Sequence, residues 1–172
     1  AAMIDHEVTI DTFDVSELDF AAAQSLLGDP EDLIVALYLL FEGDLNGHIV
    51  ITFDQPTAFE LVDLLMLEEP GTTTEIDELE HSALGEVGNQ TGSAFLNSVA
   101  DTLRKDIRIS TPAVLIDMAA AVLNSIVAEV SIESSRVIMV DTTFTIGGTE
   151  APGMFFFIPD SRSLFEMSRV LI

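Results

Sequence analysis

Hydrophobic and polar positions divide the chain into two rounds of one pattern. Gly47 to Asp54 is an apolar run closed by an acid, and Pro56 to Met66 follows with helical spacing and Phe59-Glu60 inside it. At an offset of 106 residues, Gly153 to Asp160 precedes Ser161 to Ile172, with Phe165-Glu166 in register. Upstream, Asp19 to Ala23 is echoed by Asp117 to Ala121. Each half therefore predicts a strand, a short helix, two hairpin strands and a helix. The first-half strands are Glu7 to Thr12, Leu33 to Phe41 and His48 to Phe53, with the hairpin turn at Glu42 to Gly47. The second-half strands are Ile107 to Leu115, Val137 to Thr145 and Met154 to Ile158, with the turn at Gly147-Gly148. Between the halves, Glu75 to Arg104 reads as one long helix.

From Arg136 to Phe144 the apolar run is first continuous and then alternates, which suits a strand packed on one side and partly covered on the other. The pattern predicts an α+β fold, an antiparallel sheet packed with long helices and related by approximate internal two-fold symmetry. Each half has too few apolar positions to fold alone, so residues 1–172 are expected to form a single domain. Its first half is 1–67, its linker 68–74 and its second half 75–172. Phe155, Phe156 and Phe157 cannot all face one side of a strand, so at least one is expected to meet a helix or another subunit. The symmetry also predicts an absence. The second half opens with the long helix, whereas only Ala1 to Asp5 precede the first strand, with Ala1-Ala2-Met3 as the tail of a helix. Either the N-terminal helix of the first half is missing from this chain, which is the favoured reading, or another subunit supplies the packing.

In the long helix, Ile76, Leu79, Ala83, Leu84, Val87, Ala94, Phe95, Val99 and Leu103 are the expected buried side. Thr72 to Thr74 are the expected N-caps, acids load the first turns, and Arg104 and Lys105 sit at the negative end. Gly85, Gly88 and Gly92 interrupt the helix, each costing roughly 1 kcal/mol relative to alanine. Two benefits offset that cost: tight packing on the fold itself, placed first, or a shallow surface that admits a partner's loops. Gly85 suits both.

Composition narrows the function. Thirty acids stand against six bases, a formal charge of -24. Six bases cannot neutralise a phosphate track, which argues against nucleic acid as a ligand. There is no cysteine, so disulfides, thiolate metal sites and a cysteine nucleophile are excluded. His6, His48 and His81 have no metal-ligand spacing, and His48 and His81 are expected at the surface. No apolar run approaches the ~20 residues that span a bilayer, and no signal peptide is recognisable, so no membrane partner and a cytoplasmic location are expected. The spread of acids along the whole chain suits a salt-in halophile.

Ser82, Glu86 and Asn89 lie three and four apart and share one polar stripe of the long helix. Alone, each is ordinary, although asparagine is a poor helix former. Together with Pro112 they complete Ser/Asp-x3-Glu-x2-Asn-x22-Pro. This pattern resembles the signature of the CheC/CheX/FliY chemotaxis phosphatases, and with the acidic composition suggests a halophilic archaeal member. The resemblance implies a hydrolase acting on the phosphorylated response regulator CheY. Asn89 would position water against the phosphoaspartate, and Glu86 would pair with the regulator's lysine, with water polarisation as its lesser role. Ser82 would be a rim contact and Pro112 architectural. No cofactor of its own is implied, since Mg²⁺ would belong to the regulator's site. The alternative is a non-catalytic regulatory module that binds CheD or joins the flagellar switch; the intact Glu86/Asn89 pair argues for catalysis.

The charge generates a first prediction. Screening shortens electrostatic reach to about 3 Å in molar salt. The unfolding midpoint is therefore expected to be higher in molar KCl than in dilute buffer, as followed by circular dichroism; an unchanged or lower midpoint would remove the halophile reading.

Overall fold

The computed structural model describes residues 8–130 and 136–171. The expectations for Ala1 to Asp5, and the first residue of the Glu7 strand, lie outside these residues. The described residues form seven strands and five helices. In chain order these are β1 (Val8–Asp19), α1 (Phe20–Leu26), β2 (Leu33–Gly43), β3 (Gly47–Asp54), α2 (Gln55–Leu65) and α3 (Glu78–Leu103). Then follow β4 (Ile107–Ile109), β5 (Ala113–Met118), α4 (Ala119–Val130), β6 (Arg136–Ile146), β7 (Thr149–Pro159) and α5 (Ser161–Leu171). The strands make one antiparallel sheet in the order β1-β6-β7-β3-β2-β4, with β5 also pairing β2. Among the described residues no helix is long and apolar enough to cross a membrane.

Exchange of the two halves leaves that strand order unchanged. The central β3–β7 ladder places Val50 opposite Phe156, two residues separated by the repeat offset of 106. The pairs on either side, Ile49–Phe157 and Ile51–Phe155, exchange under the same operation. The internal two-fold therefore passes through the Val50–Phe156 pair.

Period-two alternation splits the core into two faces. Val35, Leu37, Leu39, Phe41, Ile49, Ile51, Phe53, Phe155 and Phe157 pack under α2, α3 and α5. Ile34, Ala36, Val50, Val137, Phe156 and Ile158 pack under α1 and α4. The three consecutive phenylalanines are thus all buried within this chain, two on one face and Phe156 on the other. Phe95 of α3 closes the first face, 4.7 Å from Phe155 and 5.1 Å from Phe157 between ring centroids.

Several boundaries differ from the sequence expectation. The strand expected over Ile107 to Leu115 is broken into β4 and β5 by Ser110-Thr111-Pro112. Proline has no N–H for the ladder. Ser110 maintains continuity instead: its N–H donates to the Leu40 carbonyl at 2.8 Å, and its hydroxyl accepts from the Leu40 N–H at 2.9 Å. β1 runs seven residues past Thr12, because its polar continuation still pairs β6 across a register shift between Thr12 and Asp14. His48 is not a surface residue. It is 8% exposed, on the same side of β3 as Val50, and 2.6 Å from the Tyr38 hydroxyl through Nδ1.

α3 starts at Glu78, not Glu75, and Thr72 to Thr74 do not cap it. The N-cap is Asp77, whose N–H donates to Glu80 Oε2 at 3.1 Å in a capping box. Leu79, 53% exposed, and the exposed Ala94 leave the expected buried side, while Leu96, Thr91 and the glycines at 88 and 92 join it. Thr73 instead bonds Asp63. Asp63 of α2, 3% exposed, accepts the Gly71 N–H at 2.7 Å, the Thr73 N–H at 2.8 Å and the Thr73 hydroxyl. It thereby folds the 68–74 linker onto the end of α2. Burial works against the Asp63 charge, but the Thr73 hydroxyl and the Thr73, Gly71 and Thr72 N–H groups outweigh it and hold the carboxyl below its ordinary value.

Asp63→Asn is expected to destabilise the fold by about 1–3 kcal/mol, because an amide N–H replaces one accepting oxygen of a buried group. A lowered folded-state pKa stabilises above the unfolded value and loses that stabilisation as pH falls through the folded one. The difference between parent and Asp63→Asn in denaturant unfolding should therefore be constant at neutral pH and shrink below about pH 4. A difference independent of pH would mean that the charge of Asp63 contributes nothing.

Candidate functional site

The break at Pro112 opens a groove beside α3. Its α3 wall is His81, Ser82, Gly85, Glu86 and Asn89, its far wall runs from Ile109 to Pro112 with Val114, and its volume is about 450 Å³. All three stripe residues expected from the sequence therefore meet in one open concavity, with Pro112 across from them.

The glycines set the width of this groove. A Cβ on Gly92 would lie 2.7 Å from the Ile109 side chain, and one on Gly88 would lie 3.3 Å from Leu37 Cβ and 3.6 Å from Pro112. These two positions let α3 press onto β2 and β4. At Gly85 the nearest atom would be Val114 Cγ2 at 3.9 Å, so helix and strand have begun to part. One turn earlier His81 spans the gap, its Nε2 3.2 Å from the Val114 carbonyl oxygen. Nε2 carries the hydrogen in that contact, since the carbonyl can only accept.

Ser82 is exposed, and Glu86 and Asn89 are half-buried. The Ser82 hydroxyl donates back to the Glu78 carbonyl at 3.0 Å, leaving its lone pairs directed outward as acceptors. Glu86 Oε1 accepts a long bond from Gln90 Nε2 at 3.4 Å. No hydrogen bond is formed by the Asn89 carboxamide among the described residues. It offers two donors and an acceptor to whatever enters the groove.

The groove lining carries an acid and no lysine or arginine. Such a wall repels a free phosphate anion and lacks any cation to hold one. It suits a macromolecular substrate that brings its own countercharge. Among the described residues there is no group of three or more His, Asp or Glu side chains placed to hold a metal ion.

Pro112 lies against α3 at Gly88, where an added Cβ would stand 3.6 Å from the proline ring. Sequence reasoning did not single out Ser110, Gly88 as the seat of Pro112, or His81 as a brace. A hydroxyl residue two places before a proline inside an apolar run was the available signal for Ser110.

The family model for chemotaxis phosphatase CheX matches residues 35–134. The CheY-P phosphatase CheC of Bacillus subtilis is 26% identical over 175 residues, which cover 97% of this chain and 82% of that protein. Thermotoga maritima FliY shares the fold with a TM-score of 0.72 and 21% identity, over 97% of this chain and 83% of that one. The complex of CheX with CheY, BeF3 and Mg²⁺ from Borrelia burgdorferi has a TM-score of 0.50 and 19% identity, over 81% and 94% of the two chains. The matched span runs from within β2 through α4, more than half of the chain, and contains both walls of the groove; the chain belongs to the CheX family of chemotaxis phosphatases.

Proposed function

We propose that this protein dephosphorylates the phosphorylated response regulator CheY, with the α3 groove as its active site. The observation that carries the reading is the convergence of Ser82, Glu86 and Asn89 on one open groove, with the Asn89 carboxamide unpaired. Support comes from the family itself and from relatives: a CheY-P phosphatase of similar sequence, and a CheX of the same fold in complex with CheY.

Phosphoryl transfer asks a protein mainly for positioning and electrostatic stabilisation. Asn89 enters the regulator's site and orients the attacking water through its carboxamide. The chain contributes no cofactor of its own; Mg²⁺ belongs to the regulator's phosphoaspartate site. Glu86, weakly held by Gln90, forms an ion pair with the regulator's lysine and fixes the docked orientation. Polarisation of water is the lesser role for Glu86, since an ordinary carboxylate is a weak base. Ser82 accepts a hydrogen bond at the rim. Pro112 contacts no substrate and acts through the helix position.

Asn89→Ala is expected to slow regulator dephosphorylation on the order of a hundredfold, about 2.7 kcal/mol, with the melting temperature unchanged. Phosphate release from a matched phosphorylated regulator with Mg²⁺ measures it, and a parental rate in this variant would end the catalytic reading. Glu86→Ala should mainly raise the regulator concentration needed for half-maximal rate. Glu86→Gln should behave like Glu86→Ala, because the role assigned is charge rather than shape; full activity in Glu86→Gln would exclude the ion pair.

A further inference from the structure

We infer that Gly85 is a docking residue: the bare backbone of α3 at this position is where the chain of the phosphorylated partner seats. The inference rests on the groove being the phosphatase site, and it adds a contact that neither the stripe nor the comparisons identify.

The three helix glycines have different causes. Gly88 and Gly92 are accounted for by the chain's own packing, since a Cβ would crowd Leu37 at 3.3 Å and Ile109 at 2.7 Å. Gly85 is not. A Cβ there would make one ordinary van der Waals contact, 3.9 Å from Val114 Cγ2, and the backbone keeps a negative φ that any residue adopts. Alanine fits, and alanine is the better helix former. Nothing among the described residues calls for glycine at 85, and we place the benefit outside the fold.

Its position says where. Gly85 lines the groove three residues after Ser82, immediately before Glu86 and four before Asn89, at the centre of the α3 wall. An asparagine side chain is short, so its carboxamide reaches a phosphoryl group only if the partner comes close to the helix backbone. A methyl group at 85 would hold the partner off by about one carbon–carbon bond, ~1.5 Å. Displacement of roughly 1 Å in a positioned reaction is enough to slow it on the order of a hundredfold. The occupant is a segment of the phosphorylated protein that comes into van der Waals contact with the helix backbone, because only so close an approach uses a missing Cβ.

Gly85→Ala separates this role from packing, because the two predict opposite signs. The expected result is a melting temperature at or above that of the parent, with dephosphorylation at limiting regulator slowed at least tenfold and the half-saturating regulator concentration raised. A lower melting temperature would place the need for glycine inside the fold and overturn the inference. So would a stable Gly85→Ala with parental kinetics. Asn89→Ala measured beside it distinguishes the two levels: an inactive Asn89→Ala with a normal Gly85→Ala rejects docking at Gly85 alone. A fully active Asn89→Ala rejects the groove as the active site.

Discussion

The approach of α3 to the sheet at Gly88 and Gly92 is the contact on which the site depends. At Gly92 the helix stands close enough that a methyl group would meet Ile109 at 2.7 Å. Phe95, one turn on, is wedged against Phe155 and Phe157. Rigid interiors do not deform gradually, so this anchored segment sets the orientation of the turns before it. Asn89 follows Gly88 by one residue and inherits that orientation. Gly85, Glu86 and Ser82 extend from the same rod as it leaves the strands. A carboxamide on a loop would have to be ordered at each encounter; on this helix the ordering is part of folding.

The groove arises where the molecule departs from its own symmetry. The two-fold through Val50 and Phe156 relates most of the sheet. The outer strands do not obey it equally. β1 is one twelve-residue strand that only shifts register between Thr12 and Asp14, while its counterpart is divided outright into β4 and β5 by Ser110 to Pro112. The α2/α5 pair departs in the same way: Phe59 is half-buried, and its repeat partner Phe165 is 62% exposed. The symmetric ladders provide stability, and the local departures provide surface.

What was legible in the sequence followed from periodicity and spacing. Strands β2, β3, β6 and β7 alternate between two buried faces, so their existence and pairing could be read from the repeat. The stripe of Ser82, Glu86 and Asn89 depends only on helical geometry, so its shared face was readable too. Contacts between distant segments were not. Asp63 reads as an ordinary helix acid until the linker returns to it with three donors. Thr72 to Thr74 have the composition of helix caps, but Thr73 is committed to Asp63 and Asp77 caps the helix instead. His48 was misread because burial beside Tyr38 depends on the neighbouring strand, not on its own segment. Pro112 was recognised as a shaping residue, yet the division of its strand depends on Ser110 finding Leu40 across the sheet.

The electrostatic setting constrains how such a groove recognises a substrate. A formal charge of -24 opposes the approach of an anionic phosphoprotein at long range. The groove lining has no lysine or arginine to reverse that field locally. Binding energy therefore has to come from groups that act at contact, and the lining offers a carboxylate, a carboxamide and bare helix backbone. Contact-range groups discriminate by shape, since a misplacement of roughly 1 Å in a positioned reaction costs on the order of a hundredfold. Screening by salt weakens the repulsion across the whole surface, whereas a hydrogen bond or a steric fit barely changes with ionic strength. An acidic phosphatase built this way gives up fast electrostatic capture and keeps selectivity, because a free phosphate ion brings neither the countercharge nor the shape that the wall of α3 requires.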